Sequence, residues 1–168
     1  MFKVGDRVIH NSYGLCKIRA TEIIDDTDYG EQEYYIIYIE KTKIMIPVAY
    51  ASALRYPVKK EEIPKVLETL EIFQELPDYI SSGEAIDIYA DKAASNNILE
   101  VAECLRDLTV LNEKNALRGA VKNMLGSINK ILIEEISFVQ NISKVRAQKL
   151  INDRLNKAAE RAKCTGKK

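Results

Sequence analysis

The chain has 168 residues and a mass of 19.1 kDa, room for one or two small domains. Hydrophobic residues make up 46% and charged residues 30%, so the sequence can bury a core. Lys plus Arg and Asp plus Glu each number 25, and that balance argues against a uniformly basic coat for nucleic acid. The zero hides a split: residues 1–56 hold 7 basic and 8 acidic side chains, residues 57–113 hold 5 and 13, and residues 114–168 hold 13 and 4. An acidic middle beside a basic tail implies a polarised surface.

Other classes fall away quickly. The opening Met1-Phe2-Lys3-Val4-Gly5-Asp6 lacks the apolar core of a signal peptide. The longest apolar stretch, Ile44 to Leu54, contains Pro47 and Ser52 and falls short of the ~20 residues a membrane helix needs. A cytoplasmic protein with no membrane partner is the expectation. Cys16, Cys104 and Cys164 are odd in number and scattered, as reduced thiols are. With His10 as the single histidine and no CxxC pair, no metal site and no cofactor are expected.

In chain order, the first 56 residues read as strands. Phe2 to His10, Leu15 to Ile24, Glu33 to Glu40 (EYYIIYIE) and Lys43 to Val48 (KIMIPV) are rich in β-branched and aromatic residues, and seven of the nine Tyr lie here. Asn11-Ser12-Tyr13-Gly14 and the Asp25-to-Gly30 run supply the turns. Four or five short antiparallel strands predict a small barrel of the SH3 or Tudor kind, because closure hides sheet edges. From residue 57 onward the apolar spacing becomes helical. Stripes run through Ile63, Val66, Leu67, Leu70 and Phe73, then Ile86, Tyr89, Ala90 and Ala93, and then from Ile98 to Leu108 after a Ser95-Asn96-Asn97 start. The longest stripe runs from Leu117 to Val139, Asn141 to Ser143 breaks it, and a last helix carries Ala147, Ile151, Leu155 and Ala158. Gln74 to Gly83 reads as a loop. The expected architecture is α+β: a small β-barrel over residues 1–56 and an all-α domain of about five helices over residues 57–168.

Catalytic signatures are absent. There is no P-loop, GxGxxG, GxSxG or HExxH. Glu134 and Glu135 are adjacent on a helix and point apart, which makes a poor acid/base pair. The Asp25, Asp26, Asp28 run lacks the spacing of an EF-hand. No catalytic residues are expected, and an enzyme is not.

Particular residues carry a resemblance. Phe2-Lys3-Val4-Gly5-Asp6-Arg7-Val8-Ile9, Tyr13-Gly14, Gly30 to Tyr35 and Ile44-Met45-Ile46-Pro47-Val48 look like the CarD/CdnL family, whose N-terminal module resembles the polymerase-interacting domain of the transcription-repair coupling factor. Ala94-Ser95, Val101-Ala102-Glu103, Leu105 to Leu108, Lys122 to Leu125 and Ile131-Leu132 extend it through the second half. The resemblance implies a bacterial transcription regulator. Its Tudor-like domain docks on the RNA polymerase β subunit, and its helical domain touches promoter DNA at the upstream edge of the bubble and favours the open complex. In the family a Trp wedges into the minor groove there.

Carried over by position, the polymerase contact falls on Asp26, Lys43, Met45, Ile46 and Pro47. Relatives often hold Arg at these places, so contact here leans on strand pairing and apolar packing. Alternation turns one of Met45 and Ile46 into the core. The chain has no Trp, and the wedge position falls on or near Ser82, followed by Gly83-Glu84-Ala85-Ile86-Asp87 where the family is basic. Phe73 and Tyr79 are possible stand-ins; Tyr89 packs in the core by its spacing. The remaining positive charge gives a second candidate DNA surface: Arg118 and Lys122 one turn apart, and Arg154, Lys157 and Arg161 on one face of the last helix. The bland reading of that face is solvated cations. The expected protein is a monomer that binds the polymerase β subunit and promoter DNA. The alternatives are a nucleoid-type DNA binder and a protein-only adaptor.

Overall fold

The computed structural model describes residues 1–26, 30–39, 41–72, 83–113, 117 and 119–165. Strands β1 (Arg7–His10) and β2 (Gly14–Lys17) form a tight antiparallel hairpin, with His10 opposite Gly14. Strand β1 also pairs with the short β6 (Leu54–Arg55), giving the sheet order β2-β1-β6. Strands β3 (Ala20–Asp26), β4 (Gly30–Ile39) and β5 (Thr42–Pro47) form a second antiparallel sheet in that order. A 3-10 stretch, Val48–Ala53, joins β5 to β6. The molecule is mixed α+β with two small antiparallel sheets. Among the described residues no ladder joins the sheets into a closed barrel.

Two expected strands change shape. Phe2 to Asp6 is a turn, not strand: the Asp6 amide donates to the Lys3 carbonyl at 3.0 Å, and the Lys3 amide donates to Asp6 Oδ2 at 2.8 Å. The run Leu15 to Ile24 is broken at Ile18 and Arg19. Ile18 is fully buried, and its carbonyl takes the Gly5 amide at 2.8 Å; the next amide, of Arg19, reaches the Ile36 carbonyl of the other sheet at 2.8 Å. The chain thus changes sheets within two residues. Val8, Cys16 and Leu54 from one sheet meet Tyr35, Ile37 and Ile46 from the other in a single core.

Five α-helices follow among the described residues: α1 (Ile63–Glu71), α2 (Gly83–Ala94), α3 (Ile98–Glu113), α4 (Gly119–Gln140) and α5 (Lys144–Thr165). Pro64 sits in the first turn of α1, where its missing N–H leaves no intrahelical bond unmade. Asn97 starts α3 by accepting the Leu99 amide at 3.0 Å, and Ser143 starts α5 by accepting the Arg146 amide at 3.2 Å. Asn141, in the left-handed region at φ 54°, turns the chain between α4 and α5. Helix α3 packs against α1, α2, α4 and α5, and Leu70, Leu105, Leu108, Leu132, Ile136 and Ile151 are at most 1% exposed there. Each such aliphatic burial is worth about 1.5–3 kcal/mol. Tyr89, 5% exposed, belongs to this core.

Candidate functional site

The β3-β4-β5 sheet has a buried face and an outward one. Opposed residues of an antiparallel pair share a face. The register sets Lys43 opposite Tyr38, Met45 opposite Ile36 and Pro47 opposite Tyr34. Met45 is 40% and Tyr38 47% exposed on this side, whereas Ile46 is 7% exposed and packs inward. Ile46 therefore separates from the other expected contact residues: it holds the core, and Lys43, Met45 and Pro47 share the outward face. Lys43 Nζ bonds Glu22 Oε2 at 2.6 Å, reaching from β5 to β3 across β4. Strand β5 has no further strand beyond it among the described residues, so it offers an unpaired backbone edge. Asp26 ends β3 opposite Gly30, and its side chain lies outside the described residues. Sequence reasoning missed Tyr34, Tyr38 and Glu22 on this face. The signal was the two-residue alternation within EYYIIYIE, which puts Tyr34, Ile36 and Tyr38 on one side.

A buried seam fixes this β platform to the helices. Glu135 of α4 is fully buried and accepts three bonds: from Arg55 Nη1 at 2.6 Å, from Arg55 Nη2 at 2.7 Å and from the Val58 amide at 3.0 Å. This fork-to-carboxylate geometry is the strong form of an ion pair. Arg55 ends β6 and Val58 lies in the connection to α1, so one carboxylate pins both the sheet and the linker. Beside it, Gly14 has φ 79°, and a Cβ there would stand 2.7 Å from Glu134 Oε2. Glu134 in turn accepts from Lys144 at 2.8 Å, and the Arg7 guanidinium stands 5.7 Å from the Phe138 ring centroid. The adjacent glutamates thus have separate structural tasks, in keeping with their divergent directions.

The cations of the last helix converge on a single acid. Glu71, the last residue of α1, takes Arg154 Nη1 at 2.6 Å and Lys157 Nζ at 3.3 Å on Oε2, and Arg161 Nη2 at 3.1 Å on Oε1. Arg161 Nη1 also donates to the Glu71 backbone carbonyl at 3.1 Å, at the negative end of the α1 dipole. The hydrogen bond from Arg154, then those from Lys157, hold the Glu71 carboxyl below the ordinary Glu range. A shared face for Arg154, Lys157 and Arg161 is what the spacing suggested. The acid facing them was invisible in sequence, 83 residues upstream of Arg154. Lys122 is exposed on α4; Ser82, Arg118, Phe73 and Tyr79 lie outside the described residues.

No reactive cluster competes with these surfaces among the described residues. No group of three or more His, Cys, Asp or Glu could hold a metal, and no helix is long and apolar enough to cross a membrane. Burial pushes the Cys16 thiol up to about 11 and the Cys104 thiol up to about 12, which keeps both protonated and unreactive. His10 is pushed down by burial, and its Nδ1 accepts the Ser12 amide at 3.0 Å, a turn contact.

A small β platform is thus tied to a helical bundle by the buried Arg55–Glu135 pair. Comparison with known proteins gives the class to which this pairing of domains belongs. Residues 2–58 match the CarD-like/TRCF RID domain, an RNA polymerase-interacting module, and residues 80–152 match the CarD C-terminal domain. The chain is 30% identical over 152 residues to a Bacillus subtilis (strain 168) protein named "Putative transcription factor YdeB", covering 86% of this chain and 95% of that one. The chain belongs to the CarD family, a family of transcription factors and not of enzymes.

Proposed function

We propose that the protein docks on the RNA polymerase β subunit through the outward face of β4 and β5 and modulates the stability of the promoter open complex. In this reading a Tudor-like β domain over residues 1–56 binds polymerase and the helical domain over residues 57–168 meets promoter DNA. The observation that carries it is the match of residues 2–58 to an RNA polymerase-interacting domain, on a chain whose β5 is an unpaired sheet edge bearing an exposed Met45. A partner strand added along β5 would gain main-chain hydrogen bonds, with Met45, Pro47 and Tyr38 supplying apolar contact. Lys43 stays tied to Glu22 beside that contact, so little of the affinity comes from new ion pairs. The buried Arg55–Glu135 pair then carries the docked orientation into the helices, where Lys122, Arg118 and the α5 cations face DNA and the stretch around Ser82 lies at the bubble edge.

Binding of the full-length protein to a β-subunit lobe fragment tests this directly. Wild type binds, and Met45→Glu weakens binding by roughly tenfold or more, since it sets an unpaired charge in a desolvated contact. Because Met45 is exposed, the variant keeps its thermal stability. Equal binding by wild type and variant would remove this face from the contact. One observation favours the adaptor alternative: Glu71 already engages the three α5 cations. That alternative predicts polymerase capture with no DNA binding even at low salt.

A further inference from the structure

Two cavities open along one side of α4, of about 480 Å³ and 530 Å³, and they meet at Glu134 and Lys144, which line both. The α4 residues facing them recur at steps of three and four, from Gly126 through Lys130, Ile133 and Ser137 to Asn141 just past the helix end. One face of the helix thus borders a groove over about 22 Å, at ~1.5 Å of rise per residue. The opposite walls come from the first turns of α5, with Val145 and Gln148, and from Leu15 of β2. Val145 is 81% and Phe138 42% exposed. Gly126 leaves further room, since a Cβ there would meet nothing within 4 Å. Exposed apolar groups gathered in a groove with a polar rim mark an interaction surface.

The rim is positive. Glu134 is the one acid in the lining, and Lys144 already holds it at 2.8 Å. Lys130 makes no ion pair among the described residues, and neither does Arg7, which stands over the Phe138 ring. On α5, Arg146 and Lys149 stand beside Val145, and the first acid of that helix is Asp153, beyond the lining. No acid occurs on α4 before Glu134, or on the β1–β2 hairpin.

We infer that this face of α4 is a docking groove for an acidic amphipathic helix of a protein partner. A helix with apolar anchors at i, i+3 or i+4 and i+7 fills such a groove, and carboxylates along its edges meet Lys130, Arg7 and Lys149. A duplex backbone offers the negative charge but no apolar groups for Ile133, Phe138 and Val145, so the floor favours a peptide over nucleic acid. The groove is built by β2, α4 and α5 and uses none of Lys43, Met45 or Pro47. A partner here is therefore a contact separate from the β5 edge.

The probe is a fluorescein-labelled peptide of about four helical turns, with Leu at i, i+4, i+7 and i+11 and Glu on both flanks. Its binding to the full-length protein is read by anisotropy and mapped by methyl NMR. The peptide binds and moves the Leu15, Ile133 and Val145 methyl resonances. A scrambled peptide of the same composition, and one with Lys in place of Glu, each bind roughly tenfold more weakly or worse. Val145→Glu weakens binding by a similar factor, because it sets a like charge in the contact. An acid in the first turn of α5 suits the helix dipole, so this variant keeps its fold, which its urea midpoint checks. Gly126→Leu fills the groove from the other wall and lowers binding as well. No binding by the peptide, equal binding by the scrambled or Lys peptide, unmoved methyl resonances, or full binding by Val145→Glu overturns the inference. So does a short duplex DNA that moves the same methyl resonances, which would give the face to nucleic acid. Self-association of the chain that Val145→Glu abolishes overturns it too, and gives the face to a second copy.

Discussion

Two carboxylates join distant parts of this chain, and they do so in opposite ways. Glu135 is sealed from solvent and serves one arginine and one amide; Glu71 is partly open and serves three cations. Counting partners would rank Glu71 first. Burial reverses the order. A solvated pair gains little because water and salt screen it, whereas a buried pair that loses one member leaves a charge with no solvation. The seam at Glu135 is therefore the structural joint, and the more open α1–α5 contact is the weaker tie.

The largest expected effect breaks the seam. Glu135→Ala strands the Arg55 guanidinium, 13% exposed, and the Val58 amide, and lowers unfolding stability by about 3–5 kcal/mol. Urea unfolding measures it, and a loss below about 1 kcal/mol would place Glu135 among surface pairs. Gly14→Ala sharpens the same point with a smaller effect. The left-handed backbone costs about 1–2 kcal/mol for a residue with a Cβ, and that Cβ presses on the Glu134 carboxylate. The same unfolding assay should show a loss in this range, with α4 shifted in a methyl NMR spectrum.

The smallest effect concerns Glu71 and pH. Its carboxyl is held below the ordinary value of 4.5, chiefly by the Arg154 hydrogen bond. A depressed acid contributes stability above its unfolded value, and that contribution is lost as pH falls through the folded one. Wild type should thus exceed Glu71→Gln slightly in urea midpoint at neutral pH, and the gap should close in acid below 4.5. A gap that persists unchanged there would mean that shape, not charge, ties α1 to α5.

Much of this frame is legible in the chain. The β4–β5 hairpin follows from EYYIIYIE and KIMIPV, the α3 start from Ser95-Asn96-Asn97, and the α4–α5 break from Asn141 to Ser143, because each is decided by neighbours in sequence. The exchange of sheets at Ile18 and Arg19 is not legible, since it depends on amide bonds to Asp6 and Ile36 that only the folded chain brings close. The two-residue β6 is likewise too short for any periodic signal. At the candidate surfaces, spacing alone put Arg154, Lys157 and Arg161 on one face. It could not name Glu71 as their partner, or Glu135 as the partner of Arg55, because charge pairing over 80 residues leaves no local mark.

The proposed docking sets the β platform on polymerase and the helical half at the promoter, and the lifetime of the open complex formed by the cognate polymerase reads it out. Wild-type protein changes that lifetime, and Met45→Glu returns it to the value for polymerase alone. A lifetime that wild type leaves untouched, or that Met45→Glu changes as fully as wild type does, would contradict the account.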